Sequence, residues 1–206
     1  MSEAGARLGL LGGTFDPIHY GHLVAAEESL YRLRLDRVLL VPAGQPPHKL
    51  GRRVTPAAQR LAMVRLAAAD NAALAVSTIE LERHGPSYSV DTVAAVREQA
   101  GPGAEIFFIV GSDALPDLLT WYRPRRLLQL STLAVVSRPG YPFDLSHLSA
   151  SLPEAAQRIV HVPAPELAIS SSDLRARVAA GRPIRYQLPE AVELYIRQQG
   201  LYIQSP

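Results

Sequence analysis

The sequence predicts an α/β protein with a mostly parallel sheet and helices on both faces of that sheet. Short apolar runs alternate with segments of helical spacing along the chain, which is typical of parallel strands connected by helices. The 206 residues suffice for one domain with a sizeable core, and 48% of them are hydrophobic, as in globular proteins. We therefore expect a single domain over residues 1–206.

The first half of the chain contains three predicted strands and three predicted helices. In chain order they are the strand Arg7–Leu11, the helix Gly21–Leu33, the strand Arg37–Ala43, the helix Ala57–Ala69, the strand Leu74–Leu81 and the helix Val90–Gln99. Each strand is a short apolar run, and the helices repeat apolar residues three and four positions apart. Ser89 or Asp91 can cap the last of these helices.

The second half adds three predicted strands and two closing helices. They are the strands Glu105–Gly111, Thr132–Arg138 and Arg158–Val162, followed by the helices Ser172–Ala180 and Pro189–Gln199. Ligands of parallel sheets bind beyond the carboxyl ends of the strands. We therefore expect the loops after Leu11, Val41 and Val110 to surround one crevice.

Composition excludes several functional classes. The formal net charge of +2 is too small to indicate a nucleic-acid-binding protein. No apolar run reaches the roughly 18–20 residues needed to cross a bilayer, and the start of the chain lacks the features of a signal peptide. We expect a cytoplasmic protein. The absence of cysteine excludes disulfides, thiolate zinc sites and a cysteine nucleophile.

The basic residues are almost all arginine. Of the 21 Lys and Arg residues, Lys49 is the only lysine. Arginine and lysine differ in shape and hydration, so a phosphate site can require one of them. Either an ammonium group is needed at Lys49, or this lysine has no special role and remains by chance in an arginine-rich composition.

The segment GGTFDPIHYGH, Gly12–His22, directly follows the first predicted strand. Its glycines let backbone N–H groups approach an anion, and the next helix turns its positive end to the same place. His19 and His22 lie three residues apart, so they can share one face of the first turn and bind a polyphosphate, which would favour protonated imidazoles. The spacing fits neither a Walker A loop nor a dinucleotide fingerprint. Helix capping and a His-x-x-His zinc site are the alternatives.

This segment resembles the H-x-G-H signature of the nucleotidyltransferase superfamily, a branch of the Rossmann-like folds. The resemblance implies that both histidines contact the ATP phosphates and stabilise the charge that builds up during nucleotidyl transfer. The loop PAGQPPHK, Pro42–Lys49, is similar to one in bacterial nicotinate mononucleotide adenylyltransferases, whereas the related pantetheine-phosphate adenylyltransferases lack it. Composition alone allows an ordinary exposed loop here.

Three further segments resemble the same family. They are GPSYSVDT (Gly85–Thr92), FIVGSDALPDLLTWY (Phe108–Tyr122) and ISSSDLR (Ile169–Arg175). Ser89 and Ser172 stand where the family has threonine, and both keep the hydroxyl group. The residues alone also allow plain helix caps, and core filling by Trp121, the only tryptophan.

The resemblance implies two substrate sites that meet at the triphosphate of ATP. The implied ATP-binding residues are Gly12, Gly13, Thr14, Phe15, His19, His22, Gly111, Asp113, Ile169, Ser171, Ser172 and Arg175. The residues implied to bind nicotinate mononucleotide are Asp16, Lys49, Ser89, Trp121 and Tyr122. Those implied to act in catalysis are His19, His22, Lys49 and Arg175.

The implied reaction transfers AMP from ATP to nicotinate mononucleotide and makes a precursor of NAD. Mg²⁺ would arrive with ATP, and no protein metal site is expected. The implied architecture is a Rossmann-like core (residues 1–165) with a C-terminal helical extension (166–206). We expect no nucleic-acid or membrane partner, and a homo-oligomer is left open. A nucleotide sensor without turnover is the alternative from another class, although a sensor needs no transition-state groups.

Overall fold

The computed structural model describes residues 5–45, 54–148 and 150–203. In these ranges one parallel sheet contains β1 (Arg7–Gly13), β2 (Arg37–Pro42), β3 (Leu74–Val76), β4 (Glu105–Gly111), β5 (Thr132–Val136) and β6 (Ile159–Val162). The helices are α1 (Tyr20–Arg32), α2 (Ala57–Ala68), α3 (Ser89–Ala100), α4 (Pro124–Leu130), α5 (Ala155–Arg158), α6 (Ser171–Ala179) and α7 (Glu190–Gln198). The predicted α/β class is confirmed.

The order of the strands fixes where a ligand can bind. The sheet order is β3-β2-β1-β4-β5-β6, so the chain runs outward from β1 to one edge and from β4 to the other. Leu10 of β1 lies beside Leu39 on one side and Phe108 on the other. Because the chain order reverses between β1 and β4, a crevice opens beyond their carboxyl ends, after Gly13 and Gly111.

Helices cover both faces of the sheet, as the sequence predicts. Successive strand residues point to opposite faces, and each face has its own core. Leu11 and Phe107 belong to the core beside α1, α2, α6 and α7, whereas Leu10 and Phe108 belong to the core beside α3 and α4. The middle residues of the central strands are hydrophobic because both faces of these strands are buried there.

The third predicted strand is wrong in length. The sequence predicts a strand over Leu74–Leu81, but β3 ends at Val76. The carbonyl oxygen of Thr78 then accepts hydrogen bonds from the N–H groups three and four residues later, which closes a turn. β3 is an edge strand paired with β2, and β2 ends at Pro42, which has no N–H to offer. The other predicted elements agree with the structure to within two residues.

Two short helices, α4 and α5, are missing from the sequence-based assignment. α4 begins with Pro124, a common first helical residue, but spans seven residues, which is too short for a clear apolar period. Within the described ranges, no helix is both long and apolar enough to cross a membrane. The division at residue 165 stays a prediction, and α6 and α7 pack into the same core as α1 and α2.

Candidate active site

A cavity of about 770 Å³ lies beyond the carboxyl ends of β1 and β4. One end, which we call the histidine end, is lined by Gly12, Gly13, Thr14, His22, Gly111 and Asp113. The other, which we call the aromatic end, is lined by Ser89, Trp121 and Tyr122. The structure thus brings nine of the predicted site residues around one space.

The histidine pair stands at the start of α1. His19 immediately precedes the helix, and its backbone N–H donates to Nδ1 of His22 over 3.2 Å. An Nδ1 that accepts a hydrogen bond carries no proton, so the neutral His22 ring has its proton on Nε2. His22 lines the cavity, and its Nε2–H is a donor suited to a phosphate oxygen.

His19 is far more buried than a surface histidine. Its side chain is 1% exposed, and among the described residues its Nδ1 has no hydrogen-bond partner. Burial, and secondly the positive charge of Arg138, lower the pKa of His19 to about 4. His19 is therefore neutral at pH 7 in the free protein. A protonated His19, expected from the sequence, requires a bound polyphosphate to offset this environment.

Buried side chains hold the loop between β1 and α1. Arg60 is 2% exposed and donates to the carbonyl oxygens of Thr14 (2.8 Å) and Thr55 (2.9 Å). Phe15 is also buried, and its ring meets His22 edge-on at a centroid distance of 5.0 Å. Phe15 therefore packs against the His22 ring and does not itself line the described cavity.

Asp16 and Arg175 form bonds within the protein. One carboxylate oxygen of Asp16 accepts from the Tyr202 hydroxyl (2.8 Å) and the other from the Thr55 N–H (3.2 Å). Nη1 of Arg175 donates to the carbonyl oxygen of Asp16 (2.6 Å). Burial, reinforced by the charge of Asp16, raises the pKa of Tyr202 well above its usual value, so this hydroxyl stays a donor. Neither predicted site residue lines the described cavity, and their substrate contacts stay predictions.

The start of α6 lies against the same loop. The Ser171 hydroxyl donates to the carbonyl oxygen of Pro17 over 2.9 Å. Ser170 caps the helix by accepting from the N–H three residues later, so the helix begins one residue before the predicted Ser172. Ile169 packs against the core. The ATP contacts of Ile169, Ser171 and Ser172 stay predictions, because none of them lines the described cavity.

Ring contacts build the aromatic end. Trp121 meets Phe108 edge-on at 6.2 Å, and Tyr122 packs on Tyr88 at 4.4 Å. Ser89 is the first residue of α3, Asp91 lies in its first turn, and Tyr88 holds the cap position, so the suggested capping by Ser89 or Asp91 is wrong. The first N–H groups of a helix have no partner within it. The start of α3 therefore offers donors for an anion beside these rings.

A buried acid, Glu80, lies in the cavity wall. Its carboxylate accepts a hydrogen bond from the Thr92 hydroxyl over 2.7 Å. In the same cavity wall, Ser87 Oγ accepts a hydrogen bond from the Gly44 N–H over 3.1 Å. Burial raises the pKa of Glu80, while hydrogen bonds from Thr92 and Ser87 act in the opposite direction. Sequence reasoning missed Glu80 because its segment was assigned to a strand.

Arg138 also lines the cavity and was not predicted. A lone arginine after an apolar strand carries no motif, so the sequence offers no signal for it. Lys49, in contrast, was singled out but lies outside the described residues, with the rest of 46–53. Its roles in catalysis and mononucleotide binding stay predictions.

Similarity searches with the sequence point to one group of enzymes. A family model described as cytidylyltransferase-like matches residues 10–177. A "Probable nicotinate-nucleotide adenylyltransferase" of Thermomicrobium roseum is 50% identical over 197 residues, which are 96% of this chain and 92% of the relative. A protein of the same description from Roseiflexus sp. (strain RS-1) is 52% identical and covers 96% of this chain and 98% of its own.

Solved structures agree on the fold. The nicotinic acid mononucleotide adenylyltransferase of Plasmodium falciparum, complexed with NaAD, matches with a TM-score of 0.78 at 19% identity, over 96% of this chain and 97% of its own. The same enzyme complexed with APC matches with a TM-score of 0.76. At this level of identity the likeness concerns the fold alone.

Proposed function

We propose how the residues of this cavity share the work of catalysis, from the premise that the chain belongs to the nicotinate-nucleotide adenylyltransferase family. The protein is an enzyme of NAD biosynthesis that transfers AMP from ATP to nicotinate mononucleotide, giving nicotinate adenine dinucleotide and pyrophosphate. The assignment of residues depends on one observation: His22, whose ring accepts a hydrogen bond from the backbone N–H of the buried His19, lines the cavity where the strand order reverses.

The histidine end binds the triphosphate of ATP. The Nε2–H of His22 donates to a phosphate oxygen, while His19 holds the His22 ring through its backbone N–H. The N–H groups near Gly12 and Gly13 and the positive end of α1 add fixed dipoles. Asp113, which follows β4, accepts a hydrogen bond from a ribose hydroxyl of ATP.

The reaction is an in-line displacement at the α-phosphorus of ATP. A 5′-phosphate oxygen of nicotinate mononucleotide forms the new P–O bond as the bond to the bridging oxygen breaks. Pyrophosphate leaves with that electron pair. A phosphate monoester is already nucleophilic at neutral pH, so the step needs neither a general base nor a covalent intermediate. The protein positions the two phosphates and stabilises the developing negative charge.

The aromatic end receives the nicotinate ring. Trp121 stacks on the pyridine, because it is half-buried, lines the cavity and is held edge-on by Phe108. Backbone N–H groups at Ser89 and Tyr122 donate to the nicotinate carboxylate.

A divalent metal ion is general in this family, and we propose Mg²⁺ bound to ATP. Among the described residues, no group of three or more His, Asp or Glu side chains is placed to hold a metal ion. In this proposal the metal ion enters as part of the substrate, coordinated by phosphate oxygens and water.

Lys49 and Arg175 are proposed as further phosphate ligands. Nη1 of Arg175 donates to the carbonyl oxygen of Asp16 in the free protein, and its other N–H groups are the donors proposed for a phosphate. The N–H groups of Ser171 and Ser172, at the start of α6, are further proposed hydrogen-bond donors to the phosphates.

The decisive experiment measures pyrophosphate release with MgATP and three acceptors: nicotinate mononucleotide, its amide analogue and 4′-phosphopantetheine. We expect the highest kcat/KM with the nicotinate form. A preference for 4′-phosphopantetheine, or ATP binding without pyrophosphate release, would contradict the proposal.

A further inference from the structure

Arg138 lines the cavity and belongs to a turn whose main chain is fixed by hydrogen bonds. Its backbone N–H donates to Ser112 Oγ (3.0 Å), and the Ser112 hydroxyl donates to the carbonyl oxygen of Tyr141 (2.6 Å). Arg138 and Tyr141 also pair in an antiparallel bridge, and Gly140 closes the turn with a φ of 80°. Because these bonds fix the main chain, the side chain of Arg138 starts from a defined position.

Gly111 makes room for this side chain, because a Cβ atom there would lie 2.9 Å from Cγ of Arg138, which is closer than real Cβ contacts. Nη1 of Arg138 lies beside Gly21, at an ordinary contact distance of 3.5 Å from the position that a Cβ atom there would take. Gly111 ends β4, and Gly21 belongs to the first turn of α1. The guanidinium group therefore lies between the reversal of strand order and the histidine pair.

The charge of Arg138 is only loosely balanced. Its Nε lies 3.7 Å from Oδ1 of Asp113, and the two side chains are 30% and 45% exposed. An ion pair of this length and exposure contributes little. Asp113 is moreover assigned to a ribose hydroxyl, so the guanidinium group can serve a second anion.

On the basis of the AMP transfer described above, we propose that Arg138 binds the β- and γ-phosphates of ATP and holds them as they leave as pyrophosphate. Arg138 shares the lining of the described cavity with one other arginine, Arg123, which lies 4.8 Å over the Tyr122 ring at the aromatic end. Arg138 thus adds to the charge stabilisation that the sequence assigns to Arg175, which does not line the described cavity.

The low pKa of His19 makes such a cation useful, because burial keeps this ring from carrying the positive charge. His22 supplies a hydrogen bond, whereas the charge on the leaving pyrophosphate needs a positive group. A guanidinium group stays protonated at all ordinary pH values, and its planar N–H donors match phosphate oxygens. Arg138 therefore supplies the permanent charge and His22 supplies the directed donor.

The test measures ligand binding to the parent, Arg138→Gln and Arg138→Lys by calorimetry. We expect Arg138→Gln to weaken the binding of ATP and of pyrophosphate about 10- to 100-fold, as for loss of a charged hydrogen bond. Arg138→Lys should recover part of that loss, and binding of adenosine should change by less than about twofold. Equal weakening of all three ligands would mean that Arg138 is structural and would overturn the proposal.

The reverse reaction supplies a second readout. Arg138→Gln should raise KM for pyrophosphate much more than KM for nicotinate adenine dinucleotide. Arg126→Gln is the matched control, because Arg126 lies on α4 outside the described cavity lining and bonds to Gln129. It should leave both KM values unchanged.

The two proposals fail in different ways. A parent protein that makes no dinucleotide refutes the proposed function. A parent that is active, together with an Arg138→Gln variant that binds ATP and pyrophosphate like the parent, refutes the role of Arg138 alone.

Discussion

The two ends of the cavity are built differently. The histidine end comes mainly from one short stretch of chain, and buried groups such as Arg60 and His19 fix it from inside. The aromatic end joins two stretches about thirty residues apart through ring contacts, and Tyr122 is 44% exposed. Stabilising a developing charge requires dipoles that do not move, whereas holding a flat ring requires only a platform.

Replacing His22 with Ala should produce the largest effect, because it removes the directed donor of the histidine end. We expect kcat to fall by about 10²–10³, as for one lost transition-state donor. Steady-state kinetics with saturating MgATP would measure this fall. His84→Ala, at an exposed histidine, is the control. A kcat within about threefold of the parent would refute the role of His22.

His19→Gln should remove a pH dependence of stability that arises from burial at the histidine end. The folded pKa of about 4 lies below the ordinary 6.5, so between these pH values the unfolded chain binds a proton that the folded chain does not. The stability contributed by neutral His19 is complete above the ordinary pKa and is lost as the pH falls through the folded one. The total loss is about 3 kcal/mol.

Urea unfolding of the parent and of His19→Gln, from about pH 7 down to about pH 4, would measure this difference. His84→Gln is the matched exposed control. If the difference between the parent and His19→Gln stays constant over this range, His19 is not held neutral by burial.

Trp121→Ala should affect one substrate only. We expect KM for nicotinate mononucleotide to rise about tenfold, as for the loss of one stacked ring, while KM for ATP stays nearly unchanged. Trp121→Phe should recover most of the loss because it keeps an aromatic platform. Equal changes in both KM values would assign Trp121 to the core and remove the functional contrast between the two ends.

Tyr202→Phe should produce the smallest effect. Loss of the hydrogen bond to Asp16 should lower the free energy of unfolding by about 1 kcal/mol, with both KM values unchanged. Thermal or urea unfolding would measure the change, with Tyr31→Phe as the exposed control. A higher KM for nicotinate mononucleotide without loss of stability would instead support Asp16 as a substrate ligand.

The sequence predicts those parts of the fold and site whose geometry is local. Apolar periodicity located the strands and helices, because a buried strand and an amphipathic helix leave different patterns. The glycines and the pair His19 and His22 were found because a strand, a turn and a helix start follow one another in the chain. The predicted strand at Leu74–Leu81 is too long, since the end of a strand depends on the backbone N–H groups that the neighbouring strand can donate.

Contacts between distant segments could not be predicted in the same way. Arg138 lies beside His19 only because β5 lies next to β4 in the sheet. Glu80 becomes buried only when the turn after β3 packs against α3. The chain likewise contains nothing to indicate that Arg175 donates to a carbonyl oxygen more than 150 residues earlier.

The main-chain amide of residue 19 decides where the imidazole proton of His22 resides. The path of the backbone therefore selects the donor, so nitrogen NMR of an isotope-labelled enzyme should find the proton of the neutral ring on Nε2. A substitution that displaced this amide would impair hydrogen-bond donation by His22 even though the His22 side chain itself is unchanged.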